Sequence, residues 1–130
     1  MNKEGKPLIL IVDDAKDFRI IMSAKLMAEG FAVEDAESGE AGIKKATELL
    51  PDLILLDVEM PKMNGIQTLS ALKADPKTAN LKVAFLTNYG ESDNGADIDR
   101  KFAREIGALD HIRKTDDLSS IVEKVRSLLG

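Results

Sequence analysis

Leu53-Ile54-Leu55-Leu56-Asp57 is an apolar run that ends on a carboxylate, and its reading decides the fold. The run is too short for a helix and is bounded by Pro51-Asp52 before it and Pro61 after it, the pattern of a strand covered on both faces. Strands of that kind belong to parallel sheets, where ligands and chemistry gather outside the carboxyl ends. Asp57 stands at such an end and is a functional candidate by position.

Upstream of this strand, Pro7-Leu8-Ile9-Leu10-Ile11-Val12 is a second short buried strand that runs straight into Asp13-Asp14. Asp17 then caps or opens a helix whose apolar stripe is Phe18, Ile21, Met22 and Leu26, with Gly30 as the stop signal. Residues 31–36 form a more polar strand nearer an edge, and Ser38 is the N-cap of a helix reaching Leu50. Downstream of Asp57, Asn64-Gly65 opens a helix with Ile66, Leu69 and Leu72 on one face, ended by Asp75-Pro76. Lys82-Val83-Ala84-Phe85-Leu86-Thr87 is a strand that finishes on a hydroxyl. The segment 88–96 that follows is rich in turn formers and longer than most strand-to-helix loops, which marks it for a functional role.

A helix from about 97 to 105 buries Ile98, Phe102 and Ile106 and is closed by Gly107; a short strand over 109–113 delivers Lys114. Asp116 or Asp117 caps a last helix with Leu118, Ile121, Val122, Val125, Leu128 and Leu129 on one face. Strands and helices alternate strictly, which implies a doubly wound α/β domain: a five-stranded parallel sheet with helices on both faces, joined by right-handed crossovers.

The 130 residues read as one domain over 1–130, with a polar N-terminal tail over 1–6 and no output domain. Lys and Arg number 18 against 23 Asp and Glu, a net charge of -5, which argues against broad attraction to DNA or to anionic membranes. The absence of cysteine rules out disulfides and thiolate chemistry, and His111 alone cannot build a multi-histidine zinc site. Any metal is held by oxygen. Apolar runs such as Leu8–Val12 are far too short to cross a bilayer and no signal peptide is visible, so a cytoplasmic location is expected.

With strands one, three, four and five side by side, Asp13, Asp14, Asp57, Thr87 and Lys114 share one shallow cleft. Three neighbouring carboxylates repel, so they must protonate, pair with the lysine or hold a cation. Magnesium suits oxygen ligands and phosphate oxygens, and with the repulsion neutralised a phosphoryl group can approach. Asp57 is then the best-placed nucleophile for an acyl phosphate, with Lys114 balancing charge on one phosphoryl oxygen and Thr87 donating a hydrogen bond to another.

These residues together resemble a known family, the receiver domains of two-component response regulators, and the chain is similar to the single-domain chemotaxis regulator. The resemblance runs from Leu8 to about Leu129 and rests on Val12-Asp13-Asp14, on Leu56-Asp57-Val58-Glu59-Met60-Pro61-Lys62-Met63-Asn64-Gly65, on Thr87, and on Gly107-Ala108 before Lys114. It implies the flavodoxin-like (βα)5 receiver fold with strand order 2-1-3-4-5. It implies Asp57 as phosphoacceptor and a histidine kinase or histidine phosphotransfer protein as donor. Magnesium, or manganese in its place, would be held by Asp14, Asp57 and the backbone carbonyl of Glu59, with Asp13 acting largely through water. Thr87 would follow the phosphoryl group inward together with the side chain at the aromatic position of the fifth strand, which is His111 here. The moving face would be the fourth helix, fifth strand and fifth helix, open to an unknown downstream protein or to a second copy of the chain.

The departures are specific. Thr115 follows the lysine where the family usually has proline, whose cis bond helps aim the ammonium group. Asn88 replaces the usual small residue after the switch threonine, and Asn88 and Glu59 flank the acceptor where the family tunes phosphoryl lifetime. Taken singly, the residues also have ordinary readings: Asp13-Asp14 as a helix cap, Thr87 as a strand end, Lys114 as a solvated lysine, and His111 as a packed side chain rather than a switch. Tyr89 is a partner contact or merely loop cover, and Arg100, Lys101, Arg104 and Arg113 form a solvated face or a docking and dimer face. The leading expectation is a stand-alone phosphorylation switch that catalyses only its own phosphorylation and dephosphorylation and is not an enzyme acting on a separate metabolite. The competing expectations are an unphosphorylated receiver-like interaction module, a small flavodoxin-like redox protein, and an enzyme of the Asp-x-Asp nucleophile type.

Overall fold

The computed structural model describes residues 4–88 and 105–130 of the chain. Among them are five strands and four helices: β1 (Leu8–Val12), α1 (Lys16–Ala28), β2 (Ala32–Ala36), α2 (Gly39–Leu49), β3 (Leu53–Asp57), α3 (Gly65–Ala74), β4 (Val83–Thr87), β5 (Asp110–Arg113) and α4 (Leu118–Leu129). Residues 89–104 lie outside the described residues; they include Tyr89, the long segment after Asn88, the expected helix from about 97 up to its last residue, and the basic residues Arg100, Lys101 and Arg104.

All strand pairs are parallel and the order is β2-β1-β3-β4-β5, as the resemblance implies. β1, β3 and β4 are buried along their whole length because helices cover both faces, which is why their sequences read as unbroken apolar runs. Alternate residues of the same strands feed two cores. Ile9, Ile11, Leu53, Leu55, Ala84 and Leu86 pack with Met22, Leu26, Ile121, Val122 and Val125 on the side of α1 and α4. Leu10, Val12, Ile54, Leu56, Val83 and Phe85 pack with Ala46, Leu69 and Leu72 on the side of α2 and α3. Each fully buried aliphatic side chain contributes about 1.5–3 kcal/mol.

β2 is the edge strand next to β1, and its exposed and half-buried residues carry the polar pattern seen in its sequence. Ser38 caps α2 by accepting from the Ala41 N–H, and Asp117 caps α4 by accepting from the Ser120 N–H. Asn64 and Gln67 form a reciprocal capping box at the start of α3.

One expectation for α1 is corrected and one is narrowed. Ile21 is 53% exposed, because the buried stripe of α1 is Met22 and Leu26 with Phe18 packed beside them at four-residue spacing, which turns Ile21 about 100° toward solvent. Of the two readings of Asp17, cap or opening residue, the second agrees with the structure: it lies in the first turn of α1, while Ala15 is the N-cap and its N–H is taken by Asp13 Oδ1 at 2.8 Å. Three strands begin one residue later than their sequences suggest, after Phe31, Lys82 and Leu109, although the Lys82 carbonyl still accepts from the Ile54 N–H at 2.9 Å and the Leu109 N–H donates to the Val83 carbonyl at 2.8 Å.

Candidate functional site: an acidic cleft at the strand ends

β1 delivers Asp13 to the carboxyl edge of the sheet, where it is fully buried, while Asp14 is exposed one residue further on. The Asp13 N–H donates to the Ala36 carbonyl at 3.0 Å, which continues the pairing of β1 with β2 by one residue. Its own carbonyl accepts from Arg19 at 2.8 Å, and the same guanidinium reaches Asp35 Oδ2 at 3.0 Å. Arg19 thus ties the turn after β1 to the end of β2. This bracing is legible only in three dimensions, although a basic residue in the first turns of the helix after an acidic pair is a usable signal.

β3 delivers Asp57, which is 2% exposed. Its Oδ1 accepts from the Glu59 N–H at 3.2 Å. The turn that follows is tight: Val58 N–H donates to Leu86 on β4 at 3.1 Å, and Gly65 N–H donates to Val58 at 2.9 Å. A Cβ at Gly65 would stand 2.3 Å from the Asp57 carbonyl oxygen, so only glycine lets α3 start this close to the end of β3.

Carboxylate oxygens of Asp13, Asp14 and Asp57 lie within 4.8 Å of one another. Lys114 reaches this group from beyond β5, with Nζ 2.6 Å from Asp13 Oδ2 and 3.9 Å from Asp57 Oδ2. The peptide after Lys114 is trans, and the ammonium is aimed first at Asp13 rather than at Asp57. Asp13 Oδ2 makes no hydrogen bond of acceptable geometry despite this short approach, so it is a buried acceptor with a charge partner and no directed donor.

The consequence for Asp57 is a carboxyl pushed up to about 7. Burial is the main cause and the negative charge of Asp13 adds to it; Lys114 and the Glu59 N–H oppose it, and the hydrogen bond with the Asp14 side chain raises it further. Three carboxylates against one ammonium leave an excess of negative charge in a small space. Together with the buried Asp13 oxygen, this oxygen-only donor set fits a hard cation, so the cluster could hold a metal ion.

Thr87 ends β4 beside β3, is 3% exposed, and its carbonyl accepts from the Lys114 N–H at 2.7 Å. Asn88 and Glu59 are exposed at the rim. His111 does not join the cluster: it pairs in register with Phe85, two residues behind Thr87, its Nδ1 is buried without a hydrogen bond, and it lies 3.9 Å from Asp110 Oδ1. Asp110 in turn meets Lys124 of α4 at 3.2 Å, and Arg113 meets Asp116 at 3.4 Å. The sheet therefore brings together Asp13, Asp14, Asp57 and Lys114, with Thr87 adjoining, and leaves His111 on the β5 flank.

Residues 9–126 match the family described as the response regulator receiver domain. Sporulation initiation phosphotransferase F of Bacillus subtilis (strain 168) is 35% identical over 121 residues, which cover 93% of this chain and 92% of that protein. A transcriptional regulatory protein CpxR homolog of Haemophilus influenzae is 37% identical over 121 residues, but the chain spans only 49% of its length. Among solved structures, a CheY-like response regulator receiver domain protein of Methanospirillum hungatei JF-1 superposes with a TM-score of 0.81 at 26% identity, over 96% of this chain and 94% of that one. Vibrio cholerae chemotaxis protein CheY4 reaches a TM-score of 0.83 at 22% identity, over 95% of this chain and 99% of that one, a likeness of fold alone. With the acidic cleft at the carboxyl edge of a β2-β1-β3-β4-β5 sheet, these matches place the chain in the response regulator receiver domain family of two-component systems, whose members are phosphorylation switches.

Proposed function

We propose that the chain takes a phosphoryl group from a phosphohistidine donor onto Asp57 in a magnesium-dependent step, and that this switches a partner-binding face. The observation that carries the reading is the single carboxylate at the end of the central strand, 2% exposed, clustered with two further carboxylates and 3.9 Å from an ammonium group. A bound magnesium ion would neutralise the carboxylates and the phosphoryl oxygens that meet them; Asp14, Asp57 and the Glu59 carbonyl would hold it, with Asp13 acting through water. Manganese would serve in its place.

An Asp57 carboxylate oxygen forms the new bond to phosphorus while the bond from phosphorus to the donor imidazole breaks, and the imidazole leaves and takes up a proton. Lys114 moves from Asp13 toward a phosphoryl oxygen, and the Thr87 hydroxyl donates to another. In the reverse sense, water attacks phosphorus and the Asp57 carboxylate leaves, so the chain acts only on itself. Asn88 and Glu59 stand at the rim where they would govern how readily that water arrives.

The donor would be a histidine kinase or a histidine phosphotransfer protein in the cytoplasm. Thr87 and Lys114 are joined through their backbones, which gives a route from the cleft to β5, His111 and a docking or dimer face there. No helix among the described residues is long and apolar enough to cross a membrane. A stand-alone mode draws its support from the relative matched over 92% of its length, whereas the chain spans about half the length of the transcriptional regulators it also matches.

Intact mass after incubation with a small-molecule phosphodonor tests the reading. One added phosphoryl group is expected for the wild type with magnesium, and none without magnesium or in Asp57→Asn. No adduct in the wild type, together with no binding of a fluoride-based phosphoryl mimic, would overturn it in favour of an unphosphorylated interaction module.

A further inference from the structure

The ammonium group of Lys114 is held by more than carboxylates. Its Nζ lies 4.7 Å from the centroid of the Phe18 ring, in addition to its contacts with Asp13 at 2.6 Å and Asp57 at 3.9 Å. Phe18 stands in the first turn of α1, half-buried, and packs against the core shared by α1 and α4. The Lys114 side chain is only 9% exposed, so little water competes for the ammonium group. A cation within about 6 Å of a ring centroid is attracted to the ring face, and the attraction strengthens with desolvation.

The physical problem at this cleft is one of aim. Lysine is a point charge on a flexible stem, and Asp13 draws it away from Asp57 without fixing a direction, since the 2.6 Å approach lacks hydrogen-bond geometry. A ring face has the complementary property. It attracts a cation over an area rather than at a point, so the ammonium can shift across it with little loss.

We propose that Phe18 is a positioning residue for phosphoryl transfer, its ring confining the Lys114 ammonium between Asp13 and Asp57 and carrying it toward the incoming group. This rests on the reading of Asp57 as phosphoacceptor. In this role Phe18 acts through the lysine and takes no part in the bond made or broken at Asp57.

Phe18→Leu keeps apolar bulk and removes the ring, whereas Phe18→Tyr keeps the ring face. Two readouts separate aim from packing: the NMR shift of the Lys114 ε-methylene, which senses the ring current, and phosphoryl uptake followed by intact mass. An upfield-shifted ε-methylene is expected in the wild type and in Phe18→Tyr, returning to the ordinary position in Phe18→Leu. Uptake is expected to fall about 3- to 20-fold in Phe18→Leu and to stay within about twofold in Phe18→Tyr. An ordinary shift in the wild type, wild-type uptake in Phe18→Leu, or equal slowing in both variants would overturn the proposal. If Phe18→Leu does not fold, the wild-type and Phe18→Tyr spectra still decide. A wild type that takes no phosphoryl group at all would count against the reading of Asp57, while the spectra report on Phe18 independently.

Discussion

Asp57 carries an electrostatic cost in the metal-free protein that its neighbours only partly offset. Its carboxyl is pushed up to about 7 by burial and by Asp13, from an ordinary value of 3.8. Between those values the folded chain holds a proton that the unfolded chain has released, so stability falls as pH rises from about 4 through about 7 and then levels off. Asp117, held below the usual carboxylate range by the Ser120 N–H and hydroxyl, works in the opposite sense and only below about pH 4. Thermal unfolding in a chelator should therefore show Asp57→Asn more stable than the wild type by about 1–3 kcal/mol at pH 7.5 and equal to it near pH 4. A wild type whose margin against Asp57→Asn does not change with pH would refute this account. At this scale the sequence shows which residues meet, because Asp13, Asp14 and Asp57 sit where an apolar run stops and Lys114 follows the last short strand. It does not show how they divide their contacts. The aim of Lys114 at Asp13, the ring of Phe18 and the guanidinium of Arg19 depend on distances between elements, and helical spacing marks Phe18 only as part of a core stripe.

The elements that frame the site are set by short-range chemistry. Ser38, Asn64 and Asp117 each accept from the N–H three residues on, and each is visible in the sequence because a capping side chain needs only its own helix. Ile21 misleads for the same reason in reverse: helical spacing marks an apolar residue but not which of two adjacent apolar positions faces the sheet. Gly65 belongs to both levels, since it starts α3 and leaves no room for a Cβ beside the carbonyl of Asp57. Gly65→Ala should destabilise the fold by about 2–4 kcal/mol, by pushing α3 off the end of β3, and should slow phosphoryl uptake by more than the lost folded fraction explains. Urea unfolding alongside intact-mass uptake measures both; an alanine variant with wild-type stability would mean that the turn relaxes without moving α3.

For the whole molecule, sheet order is what assembles the cleft, and here sequence reading went furthest. Strict alternation of strands and helices forces parallel strands, and parallel strands put every strand end on one side. The order β2-β1-β3-β4-β5 then seats β3 centrally between β1 and β4. Alternation alone does not dictate that order, which came from the resemblance to a family. Because a folded cleft gathers three carboxylates that the unfolded chain disperses, magnesium should raise the unfolding midpoint, by about 2.7 kcal/mol of stability at a hundredfold excess over its dissociation constant. Asp14→Asn should lose most of that rise, which scanning calorimetry with magnesium and with chelator measures; an identical rise in the variant would place the ion elsewhere.

The parallel ladder also acts as a ruler. Adjacent strands stand about 4.8 Å apart whatever side chains they carry, so groups mounted on the tips of β1, β3 and β4 inherit a fixed spacing. Drift in the surrounding loops can change what approaches the tips and how long it stays, while the graduations of the scale, set by the backbone, do not move.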